Sequence, residues 1–167
     1  IALPALNTLR TSAPGTRLAI LELVPTRLEK QAEQGEIDLA FHTTDGAPPG
    51  LRRRALFTER YVLIGRAGHP RLKRKPTLAQ FCTLDHVIMS PDGAGFFGVT
   101  DEALAAAGAT RRVVLSVPHF LFVMTAVAST DMVAMLPERL VRGASALQVV
   151  EPPLEVAGYE MSMLWHV

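Results

Sequence analysis

The glycine-rich run Gly93-Ala94-Gly95-Phe96-Phe97-Gly98 has the GxGxxG spacing of a dinucleotide-binding turn. In such a turn the glycines let the backbone approach a pyrophosphate at the N-terminus of a helix. The next predicted strand should then end in an acidic residue that holds the ribose, but it ends in Ser116-Val117-Pro118-His119. The two phenylalanines would also crowd a pyrophosphate. The turn has three interpretations: a dinucleotide site, a merely flexible connection, or a turn in which Ser90 and backbone amides hold an anionic group. We favour the third.

The histidines do not have the spacing of metal ligands. No two of them share a helix at such a spacing, and no cysteine or carboxylate cluster joins them, so we predict no metal and no cofactor. Two of them are placed differently from the rest, because His42 and His119 each lie just past the C-terminal end of a predicted strand. Ligand sites of α/β folds are found at such strand ends. The five are His42, His69, His86, His119 and His166.

Residue types for nucleophilic catalysis are present without the pattern that catalysis needs. Serine, histidine and aspartate occur, but no G-x-S-x-G nucleophile elbow exists. Cys82, the one cysteine, lies in a predicted helix with no neighbouring base, which is typical of a small buried hydrophobe. Arg52-Arg53-Arg54 and the basic run 71–75 lack interleaved aromatic residues and are expected to be solvated edges. We predict that the chain is not an enzyme.

Composition indicates a globular chain with a real core. Of 167 residues, 49% are hydrophobic and 20% are charged, which suits one domain or two small lobes. The net charge of +1 argues against nucleic-acid binding by the field of the whole domain. No secretory signal or membrane-spanning run is evident, so we expect a cytoplasmic protein. Because the chain opens at Ile1 without a methionine, we expect a fragment of a longer protein.

Strands and helices alternate along the chain, which predicts α/β architecture. The near-continuous apolar run Leu18–Val24 predicts a buried strand, and Pro25 then begins a helix that ends at Gly35. With the strand 37–41 these elements would form one right-handed βαβ unit. Further strands are predicted near 51–57, 61–65, 86–90, 112–117, 132–136, 147–150 and 159–165, and further helices near 3–12, from Thr77, at 100–107 and 118–128, and from Pro137.

The proline- and glycine-rich segments predict two lobes with two crossings between them. The crossings are expected near Gly65–Arg66 and near Val149–Pro153. Residues 1–65 plus 149–167 would then form lobe I, and residues 66–148 would form lobe II. A cleft between two such lobes is a common place for a small ligand.

The order of motifs resembles the effector-binding domain of LysR-type transcriptional regulators over essentially the whole chain. One motif looks like the family's glycine-x-hydrophobic-aspartate-hydrophobic-alanine pattern, and another resembles its crossing segment followed by His-Pro. The motifs are Leu3-Pro4 with Ala13-Pro14, Gln34–Ala40, Leu56-Phe57 with Tyr61–Ile64, His69-Pro70, and Val127-Ala128 with Val133–Pro137.

The resemblance implies two Rossmann-like lobes of the type 2 periplasmic-binding-protein kind, joined by two crossing strands. It also implies that the winged helix-turn-helix domain, the family's first strand and the loop after that strand lie outside this sequence. DNA would then be a partner only through that winged helix-turn-helix domain. Val117-Pro118-His119-Phe120 and Thr130-Asp131 look like the branch that answers salicylate-type, nitroaromatic or flavonoid inducers. We therefore expect an aromatic or carboxylate inducer.

The expected inducer site lies between the lobes. Lobe I would supply Thr26, His42 and Thr43, and lobe II would supply Ser90, Gly93, His119 and Phe120. The hydroxyl groups offer donors to a carboxylate or phenol, and the phenyl ring offers a stacking surface.

A homodimer is expected to form through the helix of residues 3–12 of one chain and the helix of residues 119–128 of its partner. The second helix is apolar nearly all round, so one buried face cannot use all of its apolar surface. Burial of both faces within its own lobe is the alternative.

Two other functions fit a two-lobed cleft. A soluble solute-binding protein of a transport system shares the architecture, and a transferase resembling porphobilinogen deaminase is a more distant alternative. The order of the LysR-like motifs favours an effector sensor.

Overall fold

The strands of the described chain form two separate sheets. The computed structural model describes residues 2–91 and 94–167, with side chains from Ala5 onward. The elements are α1 (Ala2–Ser12), a 3-10 turn (Pro25–Arg27), α2 (Leu28–Glu33), β1 (Ala40–Thr43), β2 (Arg52–Glu59), β3 (Tyr61–Arg66), α3 (Leu78–Cys82), β4 (Asp85–Met89), α4 (Val99–Ala106), β5 (Arg112–Val117), α5 (Phe120–Ser129), β6 (Val133–Pro137), α6 (Glu138–Val141), β7 (Leu147–Val150) and β8 (Tyr159–Trp165). The α/β architecture expected from the alternation of elements is confirmed.

The smaller sheet has the order β1-β8-β2 and is antiparallel throughout. Leu28 of α2 packs under it against Ala40 and Leu164. Strand β2 forms an edge, and its residues Arg52–Arg54 are exposed there. Charged side chains on an edge strand discourage pairing with another chain, as the sequence suggested.

The larger sheet has the order β5-β4-β6-β3-β7. Strand β4 runs parallel to β5 and β6, whereas β3 is antiparallel to β6 and β7. Both faces of this sheet are covered. Val62 and Ile64 pack with α5 on one face, and Leu63 packs with Phe81 of α3 and Leu104 of α4 on the other. Burial on two faces explains why β3 is apolar at successive positions.

The chain changes sheet at Arg60, between β2 and β3, and again between β7 and β8. The sequence put the first crossing at Gly65–Arg66, five residues later. The difference arises because β3 pairs with β6 and β7 along its length, so its hydrogen bonds belong to the larger sheet. The division into two lobes stays a prediction, with residues 1–65 and 149–167 in lobe I and residues 66–148 in lobe II.

The strand predicted at Leu18–Val24 is wrong. Residues 16–24 form neither strand nor helix, and Ile20 is 73% exposed. A strand needs a hydrogen-bonded neighbour, and β1 pairs with β8 alone among the described residues. The predicted βαβ unit is therefore absent from the described part of the chain. The helix ends predicted at Gly35 and Gly108 are confirmed, since both glycines have φ near +68° to +69°.

His86 joins several elements through a buried polar cluster. Its side chain is fully buried in β4, and its Nε2 lies 2.9 Å from the Phe81 carbonyl oxygen. Arg111 donates to Nδ1 at 3.5 Å, so we assign the proton to Nε2, which donates to Phe81. The same guanidinium makes a bidentate pair with Asp101, at 2.8 and 2.7 Å. Burial lowers the pKa of His86 to about 4.

Stability should therefore fall between pH 6.5 and pH 4. In this window the unfolded chain binds a proton on His86 that the folded chain excludes, and the loss amounts to about 3 kcal/mol. Urea unfolding across this pH range would measure it. A His86→Gln variant keeps a donor for Phe81 but cannot titrate, so its stability should fall less steeply. Equal pH slopes for the two proteins would contradict the assignment.

Candidate functional site

Strand ends from both sheets meet beside the crossing. Because β4 is parallel to β5 and β6, the C-terminal ends of these three strands share one edge of the larger sheet. That edge includes Pro137, which pairs with Tyr61 next to the crossing. In the smaller sheet Thr43 ends β1 opposite Met161, and Glu59 ends β2 opposite Tyr159. Both edges therefore lie at the ends of the sheets where the chain crosses between them.

The smaller sheet brings His42 and Thr43 together at its edge. The His42 Nδ1 lies 3.2 Å from Thr43 Oγ1 and 3.0 Å from the Thr43 carbonyl oxygen. In the turn that follows, a Cβ at Gly46 would lie 2.3 Å from Cε1 of the His42 ring, so a larger residue there would force the ring to move. Thr26, the third residue expected from this lobe, lies in the 3-10 turn and is exposed. In the described part of the chain no hydrogen bond joins it to the other two.

The larger sheet places Ser90 against the loop that follows it. The Gly95 amide donates to Ser90 Oγ at 3.1 Å, and Ser116 Oγ donates to the Gly95 carbonyl at 2.6 Å. Ser90 follows β4 and Ser116 lies in β5, so two neighbouring strands hold one loop residue. Phe96 and Phe97, next along the loop, are both exposed. Gly93 lies outside the described residues.

The N-terminus of α5 lies at the same edge. His119 is its N-cap residue and is exposed, and its side chain makes no capping hydrogen bond. Phe120 is half-buried against the core on the α5 face of the sheet, so only part of its ring faces outward. By contrast, the first turn of α4 carries the acidic residues Asp101 and Glu102, whereas the first turn of α5 has none. Of the two helix ends, that of α5 is better placed to receive an anionic group.

Some residues of this region were missed by the sequence analysis. Ser116 stands in the predicted strand next to Val117, and its polarity among apolar neighbours was a usable signal. Arg139 gave no such signal. Its guanidinium lies 4.3 Å above the Phe57 ring of the other sheet, and this contact depends on how the two sheets face each other.

Arg60 lies at the crossing and makes ion pairs that stabilise it. Its guanidinium pairs with Glu138 at 2.8 Å and with Glu151 at 2.9 Å. Its carbonyl oxygen accepts from the Glu138 amide at 2.9 Å. These bonds raise the pKa of Arg60, and they lower that of Glu138. The start of α6 is thereby tied to the point where the chain changes sheet.

The described chain has an α/β fold with two sheets, and sequence comparison gives the family. The LysR substrate binding domain family matches residues 1–167, and the chain belongs to it. The type 2 periplasmic-binding-protein-like fold expected from the resemblance is confirmed.

The relatives are regulators of transcription. The chain is 38% identical over 165 residues to the HTH-type transcriptional regulator SyrM of Rhizobium etli, covering 95% of the chain and 47% of that protein. It is 31% identical over 166 residues to the HTH-type transcriptional activator NagR of a Ralstonia species, covering 98% of the chain and 55% of that protein. The chain thus spans about half the length of these relatives.

A solved structure has the same fold. The regulatory domain of MexT, a transcriptional activator in Pseudomonas aeruginosa, superposes with a TM-score of 0.81 at 29% identity, over 99% of this chain and 83% of that one. None of the three proteins is a transport protein, so the solute-binding alternative gains no support. Among the described residues, no helix has the length and apolarity to cross a membrane.

Removing the Ser116 hydroxyl should loosen the loop after β4. The Ser116→Ala variant loses one partly buried hydrogen bond to Gly95, which costs about 1 kcal/mol. Hydrogen exchange at the Gly95 amide should then be faster, with little change at α5. Ser129→Ala is a matched control, since it removes an exposed hydroxyl bonded within a helix. Unchanged exchange at Gly95 would show that Ser116 does not hold the loop.

Proposed function

We propose that this chain is the effector-sensing domain of a DNA-binding transcription regulator and binds a small aromatic or carboxylate molecule in the cleft between its lobes. The observation that carries the proposal is the N-terminus of α5, where the His119 side chain makes no capping hydrogen bond and which follows Val117, whose carbonyl oxygen accepts from the Ser90 amide at 2.9 Å. Membership in the LysR substrate-binding family supports it. We take no metal, cofactor or catalytic residue to be involved.

The chemistry of the cleft fits an anion on an apolar body. The N-terminus of α5 favours a carboxylate, since the helix dipole is positive there. His119 at that end and His42 with Thr43 across the cleft add polar partners. The partly exposed ring of Phe120 offers an apolar surface to a ring.

Regulation would work through the angle between lobes. An effector that touches both edges favours the angle at which it binds best, and it shifts the equilibrium only by its difference in affinity between states. Arg139 on Phe57 and Arg60 on Glu138 are contacts that such a movement would strain or relieve. The change would reach DNA-binding domains elsewhere in the full-length protein.

We also propose that the domain forms a homodimer through α1 of one chain and α5 of its partner. Leu121 of α5 is 74% exposed and Phe122 beside it is also exposed, so the outward face of α5 is apolar. Met124 packs partly against the core of its own lobe, so only one face of the helix is used internally. In a two-fold dimer the contact between α1 and α5 occurs twice, so the apolar face of α5 is covered in both chains.

Replacing His119 should weaken the response to effector. In the full-length regulator, His119→Ala removes an exposed cleft residue, and about tenfold more salicylate or benzoate should be needed to change the DNase footprint on its operator. His166→Ala, also exposed but near the end of the chain, should respond as the unaltered protein does. If His119→Ala responds at the unaltered concentration, the site is wrongly placed.

The dimer can be tested on the domain itself. Sedimentation at micromolar concentration should give a dimer, and Leu121→Glu should give a folded monomer, because a buried unpaired charge opposes association. Leu140→Glu, at an exposed apolar position on α6, is the control and should remain dimeric. A monomeric unaltered domain, or a dimeric Leu121→Glu, would rule out this interface.

A further inference from the structure

Thr44 follows β1 directly and joins the three strands of the smaller sheet. Its amide donates to the Glu160 carbonyl oxygen at 2.8 Å, which extends the pairing of β1 with β8 by one residue. Its hydroxyl lies 2.8 Å from Glu160 Oε1 and 2.6 Å from Ser162 Oγ. Its carbonyl oxygen accepts from Arg53 Nη1 of β2 at 3.3 Å. Both the backbone and the side chain of Thr44 are therefore held by the neighbouring strands.

The partners of the Thr44 hydroxyl fix its direction. An ionised carboxylate only accepts hydrogen bonds, so the Thr44 hydroxyl donates to Glu160. The Ser162 hydroxyl then donates to Thr44 Oγ1. Ser162 lies in β8 and is 0% exposed. The two hydrogen bonds therefore tie the Thr44 side chain to a fully buried residue.

The turn that includes Thr44 lies against the ring of His42. The Gly46 amide donates to the Thr43 carbonyl oxygen at 3.2 Å, and the Ala47 amide donates to the Thr44 carbonyl oxygen at 3.3 Å. The ring is in close contact with this turn, because a Cβ at Gly46 would lie 2.3 Å from His42 Cε1. Holding the turn at Thr44 therefore also limits where the His42 ring can lie.

The same turn decides which nitrogen of His42 carries the proton. Nδ1 lies 3.0 Å from the Thr43 carbonyl oxygen, which can only accept, so we assign the proton to Nδ1. Thr43 Oγ1, at 3.2 Å from Nδ1, is then a second acceptor. Among the described residues, none makes a hydrogen bond to Nε2, and the His42 side chain is only half-buried. Nε2 is therefore the ring nitrogen that stays available to a ligand.

We infer that Thr44 is a positioning residue of the effector site. It holds the His42 ring in place, with the proton on Nδ1, and so leaves Nε2 for the effector. The inference rests on the proposed function, since it takes His42 as a contact of the effector. Thr44 acts through His42, because its own amide, hydroxyl proton and carbonyl oxygen are engaged within the sheet. A ring that is held before binding loses less freedom on binding, and this favours affinity.

Replacing Thr44 by valine nearly keeps the shape of the side chain and removes both hydrogen bonds of its hydroxyl. In titration calorimetry of the 167-residue chain, Thr44→Val should weaken benzoate binding about fivefold. Thr44→Ser keeps the hydroxyl and should restore the unaltered affinity.

Thr83→Val is the matched control. The Thr83 hydroxyl also donates once and accepts once, to the Gln80 carbonyl oxygen and from Arg71. It lies before the start of β4, at the other end of that strand from Ser90. Benzoate affinity should therefore be unchanged in Thr83→Val. Urea unfolding of both valine variants shows whether their affinities are compared at similar losses of stability.

The tautomer of His42 is a second measurement that a general loss of stability would not change. Nitrogen-15 spectra at about pH 8.5, where imidazoles are neutral, should show Nδ1 protonated in the unaltered chain. Both tautomers should appear in Thr44→Val, and Thr44→Ser should match the unaltered chain.

Unchanged benzoate affinity in Thr44→Val would overturn the inference, and so would an unchanged tautomer of His42 in that variant. A loss of affinity that Thr44→Ser does not reverse, or an equal loss in Thr83→Val, would also overturn it. Binding of neither benzoate nor salicylate by the unaltered chain would contradict the proposed function itself. In that case the spectra still decide whether Thr44 positions the ring.

Discussion

Gly158 touches the backbone of Glu59 where the chain passes between the two sheets, and a Cβ at this position would lie 2.1 Å from the Glu59 carbonyl oxygen. Both passages of the chain are thus packed against each other at one point. Arg60 fixes the same point through Glu138 and Glu151. The passage from β2 to β3 and the segment before β8 are therefore held together at this contact.

The crossing also leads directly into the core of the larger sheet. Strand β3 emerges from it buried on both faces, with Val62 toward α5 and Leu63 toward α3. The proposed effector edge at α5 therefore lies on the side of the sheet that Val62 faces. A movement of the lobes about Arg60 would alter the geometry of this edge, because the proposed site includes residues from the two sheets.

Local patterns predicted the elements that depend on near neighbours. Thr77 begins α3 with a capping box to Gln80, and the helix of residues 119–128 appears as α5 from Phe120. The pattern at Leu18–Val24 failed, because apolar composition gives a preference for strand but hydrogen bonds require an adjacent partner. The first crossing lies at Arg60 and not at the predicted Gly65–Arg66 for a related reason, since the pairing partners of β3 are distant in sequence.

The strand end expected before His42 is wrong, because β1 extends through Thr43. The sequence by itself determined the α/β class, the family, and which strand ends carry Ser90 and His119. These follow from periodicity and motif order, which are local in the chain. The tertiary structure decided which side chains meet. Three of these contacts join residues from different strands or sheets: Ser116 with Gly95, Arg139 with Phe57, and Glu59 with Tyr61 and Tyr159. Such contacts depend on strand order and on the approach of two sheets at the crossing, and no local spacing encodes either.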